Sequence, residues 1–430
     1  MTPSPGTERA RRAGPSLFFA VFGAVGVLIV GVVLSRPDVV AVGLPLALWS
    51  AHALNSRGGG GVAVHIDRVA DAADTRLKDE IRVESDADMV EVAVVQAERT
   101  GRRVFVPGRF TMRASSRPLH SGPLVSVQLT ARTIDADAAE LGAPQASAAI
   151  TRTVQPPPHR LPRMPLAPRL TGLHGSHEGV RPGQGGDFRD IHPFAPGDEL
   201  RRVDWKATAR AARRPGELLI RRTNTLSDAS AVLVMDTADD LGAVVATWGR
   251  TDPARSGVTS LDHARAAARA IATATIGQGD RVAFHTLAHG GRSVRSGGGR
   301  RHLARVVAEI SASGRAGDDA RFRRTPPVPH GSIIYVLSTF FDGAAAEIAT
   351  RWRASGHRVV AVDTLPELDR GRLSAERRLA LQVLLAERQD MMHQLREAGV
   401  ETLHWSADID AQLGALTRAG RRPGLQGGRR

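Results

Sequence analysis

From Ser16 to Ser35 the chain reads SLFFAVFGAVGVLIVGVVLS, a run without a single charged residue. About 20 apolar residues in a helix match the hydrocarbon thickness of a bilayer, whereas a water-soluble helix keeps a polar face. The run therefore predicts a membrane span. After Arg36-Pro37-Asp38, a second apolar stretch from Val39 to Leu54, VVAVGLPLALWSAHAL, carries Pro45 and His52 and is the weaker of the two. Two spans joined by three residues return the chain to its starting side, so residues 16–54 are read as a hairpin of two transmembrane helices. Arg9, Arg11 and Arg12 precede the first span and Arg57 follows the second. By the positive-inside rule the tail 1–15 and everything after the hairpin are cytoplasmic. The length of the first run, and the second run behind it, weigh against a cleaved signal peptide.

The 430 residues leave room for more than one core, since a single core stops growing near roughly 250 residues. The absence of cysteine removes disulfides, iron–sulfur clusters and thiol nucleophiles, so any metal must rest on oxygen or imidazole. A net charge of +14 points first to nucleic acid. The basic residues are scattered, however, and all but Lys78 and Lys206 are arginines in a background rich in Ala, Gly and Val. Aromatic residues at 4% of the chain leave few platforms for base stacking. No nucleic-acid partner is expected, and nucleic-acid binding is the third functional reading.

Beyond Gly58–Gly61, residues 62–153 alternate with period two, as in Met89–Val94 and Leu124–Thr130, which predicts short strands in a small β-sandwich. Residues 154–168, VQPPPHRLPRMPLAP, read as a stiff Pro-rich linker. From Ala231 the period changes. Apolar runs at Ala231–Met235, Val282–Leu287, Ile333–Ser338, Val359–Asp363 and Val400–Trp405 alternate with helical stretches at Leu261–Ile276, Arg301–Ser311, Ala344–Ala354, Leu373–Ala398 and Ile409–Ala419. Buried strands alternating with helices specify a doubly wound, mostly parallel α/β sheet over residues 231–420. Ligands of such sheets bind at the carboxyl ends of the strands, where Asp236 and Asp342 fall. The Gly/Arg-rich tail 421–430 is read as disordered.

Between linker and sheet lies a signature segment, 169–230. It contains Gly186-Asp187-Phe188, Pro196-Gly197-Asp198, Arg201, Asp204-Trp205-Lys206 and Ala209-Arg210, directly upstream of the strand that ends in Asp236-Thr237. Asp198 reads as a helix N-cap with Leu200, Val203 and Ala207 on one face, and Trp205 as an anchor onto the neighbouring domain. Over Leu170 to Trp405 this arrangement resembles the domain of unknown function 58 family. The resemblance implies a von Willebrand factor A-like α/β domain in a non-enzymatic membrane protein. It also implies a partnership with a MoxR-type AAA+ ATPase in the assembly or maturation of other complexes, with the client unidentified. A von Willebrand A domain holds Mg²⁺ with a strand-end Asp-x-Ser-x-Ser and oxygens from later loops. Here that loop is Asp236-Thr237-Ala238-Asp239-Asp240, in which Ala238 has no side-chain oxygen, and Thr339 stands where an acid is common. Asp236, Asp240, Ser338 and Asp342 are left as a degenerate ligand set for Mg²⁺, and a divalent-metal hydrolase using these carboxylates is the alternative function.

No P-loop, Gly-x-Ser-x-Gly elbow or His-Glu-x-x-His motif occurs, so any ATPase must come from a partner. His174, His177 and His192 read as loop histidines. Leu381, Leu384, Met391 and Leu395 form a stripe that packs the last long helix on the sheet. The expected function is therefore docking, with the strand-end rim and the Asp198–Arg210 segment as contact surfaces and no catalytic residue assigned.

Overall fold

The computed structural model describes residues 12–55, 61–69, 76–97, 99, 101–134, 138–146, 149–162, 164–165, 167, 177–196, 198–250, 253–316 and 325–420. The chain divides into two compact units, residues 1–119 with 124–152, and residues 120–123 with 153–430.

The first unit opens with β1 (Arg12–Ala13), α1 (Pro15–Val33) and α2 (Pro37–Asn55). Both helices are long and apolar enough to cross a membrane. They pack closely: a Cβ on Gly31 would stand 2.9 Å from the Val40 backbone nitrogen, so only glycine permits this approach. Their outer surfaces stay uncovered, with Phe19 80% and Phe22 73% exposed.

The strands that follow are β2 (Val62–Val69), β3 (Leu77–Gln96), β4 (Arg102–Ser116), β5 (Gly122–Ile134), β6 (Glu140–Leu141), β7 (Gln145–Ala146) and β8 (Ile150–Val154). With β1 these strands form one eight-stranded hydrogen-bonded network with antiparallel pairing. The reason lies in β3. Its 20 residues pass through a register shift between Glu84 and Met89, pair with β4 on both sides of the shift, and pair with β2 before it and β5 after it. Ile81 and Val83 from its first half share one core with Val92, Val127 and Leu129. At the edge of that core the buried Asp79 accepts a hydrogen bond from Ser126 (2.9 Å) and pairs with Arg152. β1 pairs with β6, and the Gly14 N–H donates to Ala139 O (2.8 Å), so the entry to α1 is tied to the sheet.

The second unit starts with β9 (His177–Pro193), α3 (Trp205–Ala211) and β10 (Leu219–Ser227), in which β9 and β10 form a two-stranded antiparallel sheet. Then come β11 (Ser230–Asp236), α4 (Ser260–Gly277), β12 (Arg281–Leu287), β13 (Ser293–Gly297), α5 (Arg300–Ala312), β14 (Ile333–Ser338), α6 (Ala344–Ala354), β15 (Arg358–Asp363), α7 (Ala375–Glu397), β16 (Glu401–His404) and α8 (Ile409–Gly420). The sheet order is β13-β12-β11-β14-β15-β16. Five strands are parallel, and β13 pairs antiparallel at the edge. The sheet is thus mixed. Only residues 288–292 separate β12 from β13, which suffices for a hairpin and is too short for a crossover.

Side chains on one face of this sheet, including Leu233, Met235, Phe284 and Tyr335, pack on α4, α5 and α8, and those on the other, including Val232, Val234, Ile334 and Val336, pack on α6 and α7. This double cover explains why β11 and β14 read as continuous apolar runs. Met164 and Ala167, from the Pro-rich stretch, are buried in the α4-side core. Phe284 is fully buried there. Phe284→Ala is expected to cost about 3–5 kcal/mol in thermal or denaturant unfolding; a loss below about 1 kcal/mol would show that the core collapses around the gap.

Candidate functional site

Parallel pairing brings the carboxyl ends of β11, β14, β15 and β16 to one rim. Ser338 is in register with Asp363, and Asp363 with His404, while Asp236 ends β11 one residue past the Met235–Leu337 pair. Asp236 is half-buried at the end of β11. Its Oδ2 accepts from Ser338 Oγ (2.7 Å) and its Oδ1 from the Ala238 N–H (3.1 Å). Ser338 Oγ accepts in turn from the N–H of Phe340 (2.9 Å), a buried residue held at φ 56°. That left-handed conformation is uncommon for a non-glycine residue, and the Ser338 hydroxyl and the burial of the ring hold it in place. Burial pushes the Asp236 carboxyl up to about 6, with the nearby Asp342 and Asp239 adding to the rise and the two hydrogen bonds opposing it.

The rest of the expected metal set is used elsewhere. Asp240 accepts from the Leu261 N–H at the start of α4 (3.3 Å), and Asp342 from the Ala344 N–H at the start of α6 (3.1 Å). Among the described residues no three His, Asp or Glu side chains are gathered as metal ligands. Only Asp236 and Ser338 touch, and the Ser338 hydroxyl aims its proton at the carboxylate. The donor set does not fit Mg²⁺, which requires near-octahedral oxygens.

Farther along the rim is a cluster that the sequence did not disclose. Asp363 pairs with Arg388 of α7, accepts the Leu365 N–H (3.0 Å), and meets His404 Nδ1 at 3.1 Å. Burial works against its charge, but the His404 hydrogen bond and the Arg388 guanidinium outweigh it and hold its carboxyl below the usual range. The Asp363 hydrogen bond raises His404. Arg388 also donates to Thr339 O (2.6 Å) and lies over the Phe341 ring at 5.5 Å. Asp363 and His404 are visible as strand ends, whereas Arg388 arrives from a helix whose placement no local pattern specifies.

Residues 120–123 also belong to the second unit. His120 Nδ1 lies 2.7 Å from Asp262 Oδ2, and its Nε2 lies 3.3 Å from Ser256 Oγ, the order of a nucleophile relay. The same Nε2 meets Pro253 O at 3.0 Å. Burial opposes the charge, yet Asp262 and the Pro253 carbonyl push His120 up to about 9. A histidine that donates from both nitrogens takes no proton from Ser256, whose hydroxyl has the Pro253 and Gly257 carbonyls as acceptors.

In the signature segment the structure corrects two expectations. Asp198 does not cap a helix: its Oδ2 accepts from the Ala195 N–H (2.9 Å) and closes a turn. The cap of α3 is Asp204, whose Oδ1 accepts from the Ala207 N–H (2.9 Å). Leu200, Val203 and Ala207 share no helical face, because Val203 and Asp204 are extended. Trp205 is not buried as an anchor requires: it is 67% exposed, as is Leu200. Arg201 pairs with Glu199 (2.6 Å), Phe188 lies under Arg221 at 5.4 Å, and Pro196 belongs to the turn that Asp198 closes. Lys206, Ala209 and Arg210 face solvent. Gly186 and Asp187 are placed in the backbone of β9, while Gly197, His174 and the tail 421–430 lie outside the described residues. His192 Nδ1 meets the neighbouring Pro193 O at 2.8 Å. On α7, Leu381 and Leu395 are buried, Met391 is half-buried and Leu384 is 44% exposed, so the expected stripe covers the core only in part.

Residues 190–373 match the model of a protein family described as Protein of unknown function DUF58. The match covers less than half of the chain and is narrower than the stretch Leu170–Trp405 that carries the sequence resemblance; it includes α3 and the rim up to Asp363. No curated protein matches the chain. Among solved structures, the PilB minor pilin from Streptococcus sanguinis is similar over 77% of this chain and 86% of that chain, at 9% identity and a TM-score of 0.26.

The Asp236 carboxyl supplies a test of the rim. A carboxyl whose folded pKa lies above its unfolded value of 3.8 binds its proton more tightly in the native state. Its stabilising share is present below pH 3.8 and is lost as pH rises to about 6. Asp236→Asn keeps an acceptor for the Ala238 N–H and is expected to raise stability at pH 7.5 by on the order of 1–3 kcal/mol, with little change near pH 4. Thermal unfolding at the two pH values reads the difference, and a loss at pH 7.5 would show that the charge itself is required.

Proposed function

We propose that the chain is a non-enzymatic, membrane-anchored adaptor that docks a partner protein. One observation carries this reading: Trp205 on α3 and Leu200 in the turn before it, inside the family-matched stretch, are each 67% exposed on a segment that Val203 and Thr208 pin to β10. Large apolar side chains left in water on a rigid support favour contact with a second surface.

The hairpin of α1 and α2 is the anchor, and the units that follow it face the cytoplasm. The partner of first choice is a MoxR-type AAA+ ATPase, in line with the family resemblance, and the α/β sheet with its helices takes the part of a von Willebrand A-like domain. Assembly or maturation of a client complex is the work this pairing performs. A metal-dependent hydrolase draws no support from a rim whose carboxylates accept hydrogen bonds from Ser338, Leu261 and Ala344.

Affinity purification of the full chain from gently solubilised native membranes, with mass spectrometry of what accompanies it, tests the reading. A AAA+ ATPase enriched over a mock purification is the expected result. Its absence, under conditions that keep other membrane complexes intact, would remove the ATPase from the proposal.

A further inference from the structure

We infer that the docking face is the outer side of α3 with the turns before and after it, and that its partner presents an acidic protein surface with an apolar pocket. The inference rests on the adaptor reading and adds where the contact lies and what chemistry meets it. α3 is held from below: Leu219 N–H donates to Thr208 Oγ (2.9 Å), the Asp204 N–H donates to Leu219 O (2.8 Å), and Val203 bridges to Ile220. Ala207 and Thr208 are half-buried on that side, while Trp205, Lys206, Ala209 and Arg210 point outward. The outer face is therefore ordered before any partner arrives, and binding loses little conformational entropy.

Its charge is unbalanced. Lys206, Arg210, Arg213 and Arg214 are exposed. The neighbouring carboxylates are used elsewhere: Asp204 caps α3, Glu217 accepts the Arg213 and Arg214 backbone N–H groups (2.6 and 3.2 Å), and Glu199 pairs with Arg201 and Arg202. Among the described residues none of the four cations pairs with a carboxylate. Four exposed cations against the carboxylates of Asp204 and Glu217 leave the face net positive, and with the exposed Trp and Leu they complement an acidic surface that offers a cavity for the ring, since Trp and Arg dominate binding energy at protein contacts. An anionic bilayer supplies the charge, but a seven-residue helix with one large ring is too short to lie in its interface as an amphipathic anchor.

The test uses full-length protein in nanodiscs of neutral phosphatidylcholine and a fluorescent amphipathic helical peptide of Glu and Leu. Comparison probes are its Lys/Leu counterpart, polyglutamate, and vesicles containing phosphatidylglycerol. The Glu/Leu peptide is expected to bind in a salt-dependent way and the Lys/Leu peptide not at all. Trp205→Ala should weaken binding about tenfold or more, Lys206→Glu/Arg210→Glu should do the same, and Arg301→Glu on α5 should leave it unchanged. Three results would overturn the inference: no binding of the Glu/Leu peptide, binding unchanged by both α3 variants, or polyglutamate binding as tightly, which would reduce the face to charge. Capture by phosphatidylglycerol vesicles that the peptide does not displace would assign the face to lipid instead. An ATPase that co-purifies equally with Trp205→Ala would leave the adaptor reading standing and refute this face. Failure to recover any ATPase while the peptide results hold would remove the ATPase from the adaptor reading and leave this face standing.

Discussion

The constraint on which everything else depends is where this chain can put its apolar surface. In the α/β unit the problem is solved internally, because the strands of the parallel sheet are covered by α4, α5 and α8 on one face and by α6 and α7 on the other. In the hairpin it is not solved: α1 and α2 pack against each other through Gly31 and Gly43, but Phe19, Phe22, Val32 and Leu48 face outward. Burying such side chains is worth roughly 1.5–3 kcal/mol each, a gain that only lipid or another protein supplies here. Trp205 and Leu200 are the same problem on a smaller scale. The proposed anchor and the proposed docking face thus rest on the same observation of unburied apolar surface.

The rim of the sheet carries the polar counterpart. Parallel register lines up the strand ends, so Asp236, Ser338, Asp363 and His404 meet whether or not they do chemistry. Each then acquires a partner from the fold: a hydroxyl for Asp236, a guanidinium and an imidazole for Asp363. The two carboxyls move in opposite directions as a result. Asp236, pushed by burial and acidic neighbours against its two hydrogen bonds, rises to about 6, whereas Asp363, against its burial, is drawn down by the His404 hydrogen bond and Arg388. Groups shifted this far often mark functional sites, but a buried ion pair shifts them equally well. The hydrogen-bond partners decide between the two, and here they fix loops and helix starts.

How much of this was legible follows from the range of the forces involved. The long strands and helices from Ala231 to Ala419 can be read because burial on both faces writes long apolar runs, whereas β13, an edge strand whose Val294 is its one buried apolar residue, and the short 3-10 turn Val245–Thr247 carry no such run. In residues 62–153 the alternating pattern predicts strands but not how they connect: the register shift inside β3 links β2 and β4 to β5 in one hydrogen-bonded network. At the candidate sites, residue types were visible and their partners were not. Asp198 and Asp204 both look like caps, and the choice between them depends on Val203 bridging to Ile220 across the intervening α3 and the turn after it. Trp205 was assigned to an anchor because aromatic residues usually bury; its exposure is a tertiary fact that no spacing encodes. Likewise Arg388 reaches Asp363 across 25 positions of chain.

The chain contains no cysteine, which permits a direct test of whether the α3 face is covered in its native setting. Ala209→Cys places a thiol on the outward side of α3, one turn from Trp205, and Arg301→Cys places a control thiol on the exposed side of α5. Both would be labelled with a membrane-impermeant maleimide, in native membranes opened to the cytoplasmic side and in the purified protein. The expected result is rapid labelling of both thiols after purification, with position 209 alone protected in the native membranes. Equal labelling of position 209 in the two settings would contradict the claim that this face carries a partner.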